Sequence, residues 1–145
     1  MISYITGNLF DESVDALVQG CNISGRMNAG IAVEFKTRFP EMYQDYLKRC
    51  REGTFHLGSG YLYKNSITPH IINLGTQRSL KRAELEDISS SFHWLATNYH
   101  DLGIRSIAMP KIGAGLGRLR WAAIQQEIEA YLGTTTIDIR VISKD

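Results

Sequence analysis

The sequence is poor in the features that mark secreted, membrane-spanning and polyanion-binding proteins. It has two cysteines, Cys21 and Cys50, among 145 residues. It has neither an apolar run long enough to cross a bilayer nor the charged and apolar regions of a signal peptide. Sixteen basic residues against fifteen acidic ones leave a net charge of +1, so no overall field attracts a polyanion. We therefore predict a cytoplasmic protein with ordinary thiols, in which any phosphate contact is local.

The length and the hydrophobic content of 43% are typical of one globular domain, so we predict a single domain over residues 1–145. Short apolar runs bounded by turn residues predict six strands, and helical spacing of apolar residues predicts four helices. The predicted strands cover 2–6, 14–20, 60–63, 70–74, 104–109 and 137–142. Two helices follow residue 30, the second starting at Pro40, and the others cover 84–103 and 121–132.

Strands that alternate with helices favour a mainly parallel sheet covered on both faces, because parallel strands need a crossover connection. The predicted fold class is therefore α/β, a three-layer α/β/α sandwich. In such sheets, ligands bind at the carboxyl ends of the strands.

Two segments that follow predicted strands are rich in small residues. Segment 20–30, GCNISGRMNAG, leads into a helix whose first N–H groups and dipole favour an anion. Segment 110–117, PKIGAGLG, carries three glycines at alternate positions, which lets backbone N–H groups converge on an anion. Neither contains the Gly-Lys-Ser/Thr ending of nucleoside triphosphatases or the dinucleotide fingerprint. Glycine-rich turns also occur for purely steric reasons, so phosphate binding and packing both stay open here.

The motifs in their order along the chain resemble those of macrodomains. The resemblance covers nearly the whole chain and rests on Gly7-Asn8-Leu9, segment 20–32, Asn73-Leu74-Gly75-Thr76-Gln77 and segment 109–121. Three stretches, MNAGIA at 27–32, RFPEMY at 38–43 and LGRLRW at 116–121, are similar to one branch of the family. That branch includes the terminal ADP-ribose protein glycohydrolase and the DNA ADP-ribosyl glycohydrolase antitoxin macrodomains. The resemblance implies a mixed, mainly parallel sheet and binding of ADP-ribose.

The resemblance also implies roles for individual residues. Asn8 stands where the family usually has an aspartate that accepts from the adenine amino group, and an amide oxygen can accept the same bond. Asn22 matches the polar residue that reaches the distal ribose, and the two glycine-rich segments match the loops around the diphosphate. The predicted ADP-ribose-binding set is Gly7, Asn8, Leu9, Cys21, Asn22, Met27, Ala29, Gly30, Ile31, Ala32, Leu74, Gly75, Thr76, Ile112, Gly113, Ala114, Gly115, Leu116 and Gly117. Leu74, Gly75 and Thr76 are expected to line the substrate mouth.

Catalysis cannot be transferred unchanged from that branch. Its glycohydrolases carry a lysine at the position of Gln77, and the protein-directed relative has an acid at the position of Gly117. Glutamine forms no imine and is no acid or base near neutral pH. We therefore predict Asn22 and Gln77 as the catalytic candidates, with Asn22 ordering an attacking water. Arg78, Lys81 and Arg82 are interpreted as an exposed basic loop, and Trp94 and Trp121 as helix-face residues without a basic, aromatic surface around them.

The expected function is hydrolysis of an ADP-ribose derivative. The substrates left open are an ADP-ribosylated macromolecule, O-acyl-ADP-ribose and ADP-ribose 1″-phosphate. The alternative is a non-catalytic reader or sequestering module for ADP-ribose or a related nucleotide. We expect no cofactor, no metal and no membrane partner, a monomer, and an ADP-ribosylated protein or nucleic acid as the macromolecular partner.

Overall fold

The computed structural model describes residues 1–79, 82–115 and 117–144. Within them the strands are β1 (Ile2–Thr6), β2 (Ala16–Asn22), β3 (Gly60–Tyr63), β4 (His70–Gln77), β5 (Ser106–Met109) and β6 (Asp138–Ser143). The helices are α1 (Ile31–Arg38), α2 (Pro40–Glu52), α3 (Leu85–Asn98) and α4 (Trp121–Leu132), and a short 3₁₀ turn covers Leu9–Asp11. No helix in the described part of the chain is both long enough and apolar enough to cross a membrane.

The strands form one mixed sheet in the order β1-β6-β5-β2-β4-β3. Every neighbouring pair is parallel except β3 and β4, which are antiparallel. The predicted α/β class with a mixed, mainly parallel sheet is confirmed. Because the strands β1, β2, β4, β5 and β6 run in one direction, the loops that follow them leave from the same edge of the sheet.

The sheet is covered on both faces by apolar clusters. Side chains alternate between the faces along a strand, and β2 shows this directly. Its Ala16 and Val18 pack with α3 and α4, whereas Leu17 and Cys21 pack against residues of α1 and α2 such as Phe35 and Tyr46. This two-sided burial explains why β2 is almost continuously apolar.

The predicted break between the first two helices is confirmed. Pro40 is the first residue of α2, where its fixed φ suits a helix and its missing N–H costs nothing. The helix ends at Gly53, which adopts a left-handed conformation with φ +70°. Several predicted boundaries are wrong by a few residues: β2 continues to Asn22 and β4 to Gln77, because their pairing continues past Gly20 opposite Leu74. The third helix occupies Leu85–Asn98, within the predicted 84–103.

Candidate functional site

The loops predicted to hold the nucleotide lie at one edge of the sheet. Gly7 directly follows β1, and its N–H donates to the Ser143 carbonyl at 2.8 Å. Asn22 and Gln77, the two catalytic candidates, end neighbouring strands and lie opposite each other in the pairing of β2 with β4. Segment 110–117 follows β5, which pairs with the other side of β2. The parallel sheet therefore brings the predicted segments to the same edge.

The first of these loops is capped by its own asparagine. The Asn8 Oδ1 atom accepts from the Phe10 N–H at 3.0 Å and so caps the 3₁₀ turn that begins at Leu9. Asn8 is exposed, whereas the Leu9 side chain is buried. A carbonyl oxygen has two lone pairs, so the same Oδ1 can accept a second hydrogen bond. Acceptance of a hydrogen bond from the adenine amino group by Asn8 stays a prediction. Leu9 can contribute only its backbone to adenine binding, because its side chain is buried.

The loop between β2 and α1 is held by Asn22. The Asn22 Nδ2 donates to the Arg26 carbonyl at 2.8 Å, and its Oδ1 accepts from the N–H groups of Ser24 and Arg26, each at 3.2 Å. The hydroxyl of Tyr46, a buried residue of α2, lies 2.8 Å from the Asn22 Oδ1 and accepts from the Arg26 N–H at 3.0 Å. Burial raises the pKa of Tyr46, so this hydroxyl stays protonated. Both polar atoms of the Asn22 side chain are thus committed to fixing its own loop.

The same loop ends in a conformation that favours glycine. Gly30 has φ +61° and ψ −146°, a region that residues with a Cβ rarely occupy. It precedes α1, which starts without a side-chain cap. The Val33 N–H donates to the Gly30 carbonyl at 3.2 Å, so the N–H groups of Ile31 and Ala32 are the ones that can meet an anion. Ala29 and Gly30 are exposed and Ile31 and Ala32 half-buried, whereas Met27 is 1% exposed and belongs to the apolar core.

The glycines of the 110–117 loop are required for different structural reasons. A Cβ on Gly113 would lie 2.5 Å from the Ile88 Cδ1, and Gly113 also has φ +82°. A Cβ on Gly117 would lie 2.7 Å from the Gly113 carbonyl oxygen. Gly115 is exposed and has no atom within 4 Å of where its Cβ would stand. Packing therefore explains two glycines, and only the third borders open space.

The other residues of this loop divide in the same way. Ile112 is buried against the position of Gly20, and Ala114 packs on the cluster formed with α3 and α4. Leu116, which belongs to the predicted binding set, and Lys81 of the predicted basic loop lie outside the described residues.

The segment expected at the substrate mouth is mostly interior. Leu74 is 0% exposed and belongs to the core beside α3, so the prediction that its side chain lines a mouth is wrong. Gly75 is buried and has room for no side chain because the His56 carbonyl packs against it. Thr76 is 2% exposed, with its Oγ1 3.5 Å from the Cys21 carbonyl oxygen. Only Gln77, half-buried, reaches the edge of the sheet, where its carbonyl accepts from the Ile23 N–H at 3.0 Å.

Acid–base groups are scarce among the predicted site residues. Cys21 is their only titratable side chain, and burial raises its pKa well above that of an ordinary thiol. Its side chain packs in the apolar cluster with Phe35 and Tyr46. Both cysteines are free thiols. Among the described residues, no three or more His, Cys, Asp or Glu are grouped to hold a metal ion.

One contact beside this edge was not predictable from the sequence. The Lys111 Nζ lies 5.1 Å from the ring centroid of Trp121, and the ring of Tyr4 meets Trp121 edge-on at 6.4 Å. Trp121 is the first residue of α4, as predicted, but it has a basic and an aromatic neighbour that the prediction did not include. The three residues come from β1, from the loop after β5 and from α4, so local patterns could not show the cluster.

A surface groove of about 530 Å³ lies elsewhere, between α3, Gly58 and Tyr131 of α4. Its lining includes the imidazole ring of His93 and none of the predicted site residues. The groove is therefore separate from the segments predicted to bind the nucleotide.

Known proteins with similar sequences and structures identify the family to which the chain belongs. A family model described as Macro domain matches residues 18–128. The chain is 33% identical over 136 residues to a DNA ADP-ribosyl glycohydrolase of Thermus aquaticus, covering 91% of this chain and 38% of that protein. It is 28% identical to the ADP-ribose glycohydrolase OARD1 of Homo sapiens, covering 97% of this chain and 90% of that protein.

A solved structure, DarTG of Thermosipho africanus in complex with ADP-ribose, superposes with a TM-score of 0.93 at 27% identity. The superposition covers 98% of this chain and 41% of that one. The chain therefore spans less than half the length of this structure and of the Thermus relative.

Proposed function

Since this chain belongs to the Macro domain family, we propose that it binds ADP-ribose at the carboxyl edge of its sheet and hydrolyses the bond that joins ADP-ribose to another group. The relatives support the hydrolytic step, because two of them are named as glycohydrolases. The solved complex of a structural neighbour with ADP-ribose supports the ligand. Among the candidate substrates we rank ADP-ribosylated macromolecules first, followed by O-acyl-ADP-ribose and ADP-ribose 1″-phosphate.

The observation that carries the proposal is that two exposed glycine turns follow strands that end at the same edge of the sheet. Gly30 and Gly115 are both exposed, and the Cβ position of Gly115 borders open space. Directly after Gly30, the uncapped start of α1 supplies N–H groups and the positive end of its dipole. In our proposal the diphosphate of ADP-ribose lies between these turns, and the adenine lies at Asn8 and Leu9.

The proposed chemistry depends on positioning. Backbone N–H groups that hold the diphosphate fix the distal ribose and stabilise negative charge that develops on it. The catalytic roles of Asn22 and Gln77 stay predictions, and the two residues differ in their surroundings. Asn22 acts through the loop that it holds, whereas Gln77 ends β4 at the edge of the sheet, and a glutamine amide can hydrogen-bond a water but cannot take its proton. We expect slow turnover, because no general base is supplied by these residues.

Two measurements test the proposal together. Titration calorimetry with ADP-ribose measures binding, and turnover is followed on ADP-ribosylated DNA, ADP-ribosylated protein, O-acetyl-ADP-ribose and ADP-ribose 1″-phosphate. Binding with hydrolysis of at least one of these substrates above the buffer rate supports it. No heat with ADP-ribose contradicts the binding site, and binding without any turnover contradicts the hydrolase.

A non-catalytic reader of ADP-ribose is the second candidate. It is favoured by the committed polar atoms of Asn22 and by the absence of a side chain titrating near neutral pH from the predicted set. A reader binds ADP-ribose tightly and leaves every linkage intact in single-turnover assays with excess protein. The cytoplasmic location and the monomeric state stay predictions.

A further inference from the structure

Helix α1 is in contact with both of the loops that we propose to hold the two ends of the nucleotide. Its first turn follows Gly30 directly and so belongs to the proposed diphosphate site. Its last turn carries Arg38, whose guanidinium carbon lies 4.5 Å from the ring centroid of Phe10. Phe10 belongs to the 3₁₀ turn after β1, which is the loop proposed for adenine. Since α1 has eight residues, about 12 Å of rigid helix connects the two loops.

The Phe10 ring is held by two side chains of α1. It meets the ring of Phe35 at a centroid distance of 4.9 Å and an interplanar angle of 64°, and Phe35 is 0% exposed. Arg38 is exposed and contacts the same Phe10 ring through its guanidinium group. That guanidinium group also pairs with Glu34, one helical turn earlier, at 2.9 Å, which restricts the conformations of the Arg38 side chain. We call Phe10, Phe35 and Arg38 the Phe10 clamp.

The backbone of Phe10 is tied to the residue proposed to recognise adenine. The Phe10 N–H donates to the Asn8 Oδ1 at 3.0 Å. The Asp11 N–H donates to the Asn8 carbonyl at 3.1 Å and closes the same turn. A displacement of the Phe10 ring therefore moves the Asn8 atoms that we assign to adenine.

We propose that Arg38 is a positioning residue, which holds the adenine loop in place relative to the diphosphate turn through its contact with Phe10. The inference rests on the proposed function, because that function assigns the two ends of ADP-ribose to these two loops. A ligand that engages two loops at once binds tightly only where the loops lie at the distance that the ligand spans. If Arg38 served only as a positive charge near an anionic ligand, its effect would not depend on the Phe10 ring.

Binding of ADP-ribose and of its two ends tests the clamp. Calorimetry measures ADP-ribose, and NMR titration measures the weaker ligands adenosine and ribose 5-phosphate. For Arg38→Gln we expect ADP-ribose to bind about threefold to fivefold more weakly, as for the loss of an exposed cation–π contact, and each of the two smaller ligands to bind as it does to the parent. Unchanged ADP-ribose affinity, or equal weakening of adenosine and ADP-ribose, would overturn the proposal.

A double-mutant cycle tests whether Arg38 acts through the ring. In a Phe10→Leu background, Arg38→Gln should change ADP-ribose affinity by less than about 1.5-fold, because the contact is already absent. Arg38→Lys should retain most of the parent affinity, since an ammonium group can also lie over an aromatic face. Arg51→Gln removes the same charge from an exposed position on α2 and should bind ADP-ribose like the parent. An undiminished effect of Arg38→Gln in the Phe10→Leu background, or equal weakening by Arg51→Gln, would identify a charge effect and contradict the clamp.

Hydrogen exchange of the free protein tests the clamp without any ligand. The Asp11 N–H should exchange about threefold faster in Arg38→Gln than in the parent, and the N–H groups of β4 should exchange at unchanged rates. Unchanged exchange of Asp11 contradicts the clamp whether or not ADP-ribose binds. A parent that binds no ADP-ribose contradicts the proposed function and, with it, the role of Arg38 toward that ligand.

Discussion

Two glycines of the 110–117 loop have opposite surroundings, one packed and one open. Gly113 lies against Ile88 and Ile124 on the covered face of the sheet, where there is no room for a Cβ. Gly115, two residues later, is exposed and borders open space. Sequence alone could not separate them, because the distinction depends on helices that arrive from distant parts of the chain.

Substituting these two glycines should affect different properties: ligand binding at Gly115 and stability at Gly113. Gly115→Val places a branched side chain in the space proposed for the diphosphate, so we expect loss of ADP-ribose binding in calorimetry with an unchanged thermal midpoint. Gly113→Val must displace Ile88 and strain a left-handed backbone, so we expect the free energy of unfolding to fall by about 2–4 kcal/mol. Unchanged ADP-ribose affinity in Gly115→Val would place this loop away from the ligand.

The side chain of Asn8 offers a test of adenine recognition that keeps the local structure. Asp and Asn cap turns equally well, so Asn8→Asp preserves the bond from the Phe10 N–H and adds a negative charge. A charged acceptor strengthens the bond from the adenine amino group, and we expect AMP and ADP-ribose to bind about fivefold more tightly. Ribose 5-phosphate, which lacks the base, is the control ligand. Equal affinities of parent and variant for AMP would contradict adenine contact at this position.

Among the elements, α2 has a role beyond covering the sheet. It places the Tyr46 side chain against the β2–α1 loop, where the hydroxyl hydrogen-bonds with Asn22 and Arg26. The loop proposed to hold a phosphate is therefore fixed before any ligand arrives, and preorganised donors need less ordering when they bind an anion.

Removing that hydroxyl should loosen the loop and leave the adenine end intact. For Tyr46→Phe we expect ADP-ribose affinity to fall about tenfold and the free energy of unfolding to fall by about 1–2 kcal/mol, since buried partners lose a hydrogen bond. AMP binding should change little, because the proposed adenine contacts lie at Asn8 and Leu9. Calorimetry with both ligands separates the outcomes, and equal losses for AMP and ADP-ribose would indicate a general structural defect.

The elements themselves were largely predictable from sequence. β1, β3 and α4 have the predicted bounds, because apolar alternation and helical spacing are local signals. The ends of β2 and β4 were not predicted. Cys21 and Asn22 extend β2, and Gln77 extends β4, because the two strands continue to pair with each other there. No local pattern in the sequence encodes this pairing. The interior position of Leu74 and the Lys111–Trp121–Tyr4 contact were missed for the same reason.

For the molecule as a whole, buried hydroxyl and thiol groups link stability to alkaline pH. Burial raises the pKa of Cys21, Tyr46 and Tyr61 in the folded protein. The unfolded chain releases these protons at lower pH than the folded one does, so folding is favoured fully below the unfolded pKa values. The stabilisation is lost as pH rises above them.

We therefore expect the free energy of unfolding to fall with rising pH above about 8.5, where the thiol of an unfolded chain begins to ionise. Urea unfolding between pH 7 and 10 measures it, and Cys21→Ala should show a shallower fall than the parent. A free energy that increases over this range would contradict the assigned burial. The same curves test the predicted single domain, because one domain unfolds in a single transition at every pH.

The central claim is that two open turns at the carboxyl edge of the sheet hold the diphosphate of ADP-ribose. A crystal structure of the protein with ADP-ribose tests it most directly. We predict the diphosphate within hydrogen-bond distance of backbone N–H groups near Gly30 and Gly115, with the adenine at Asn8. ADP-ribose bound in the groove between α3 and α4, or a loop edge that stays closed to it at saturating concentration, would contradict the account.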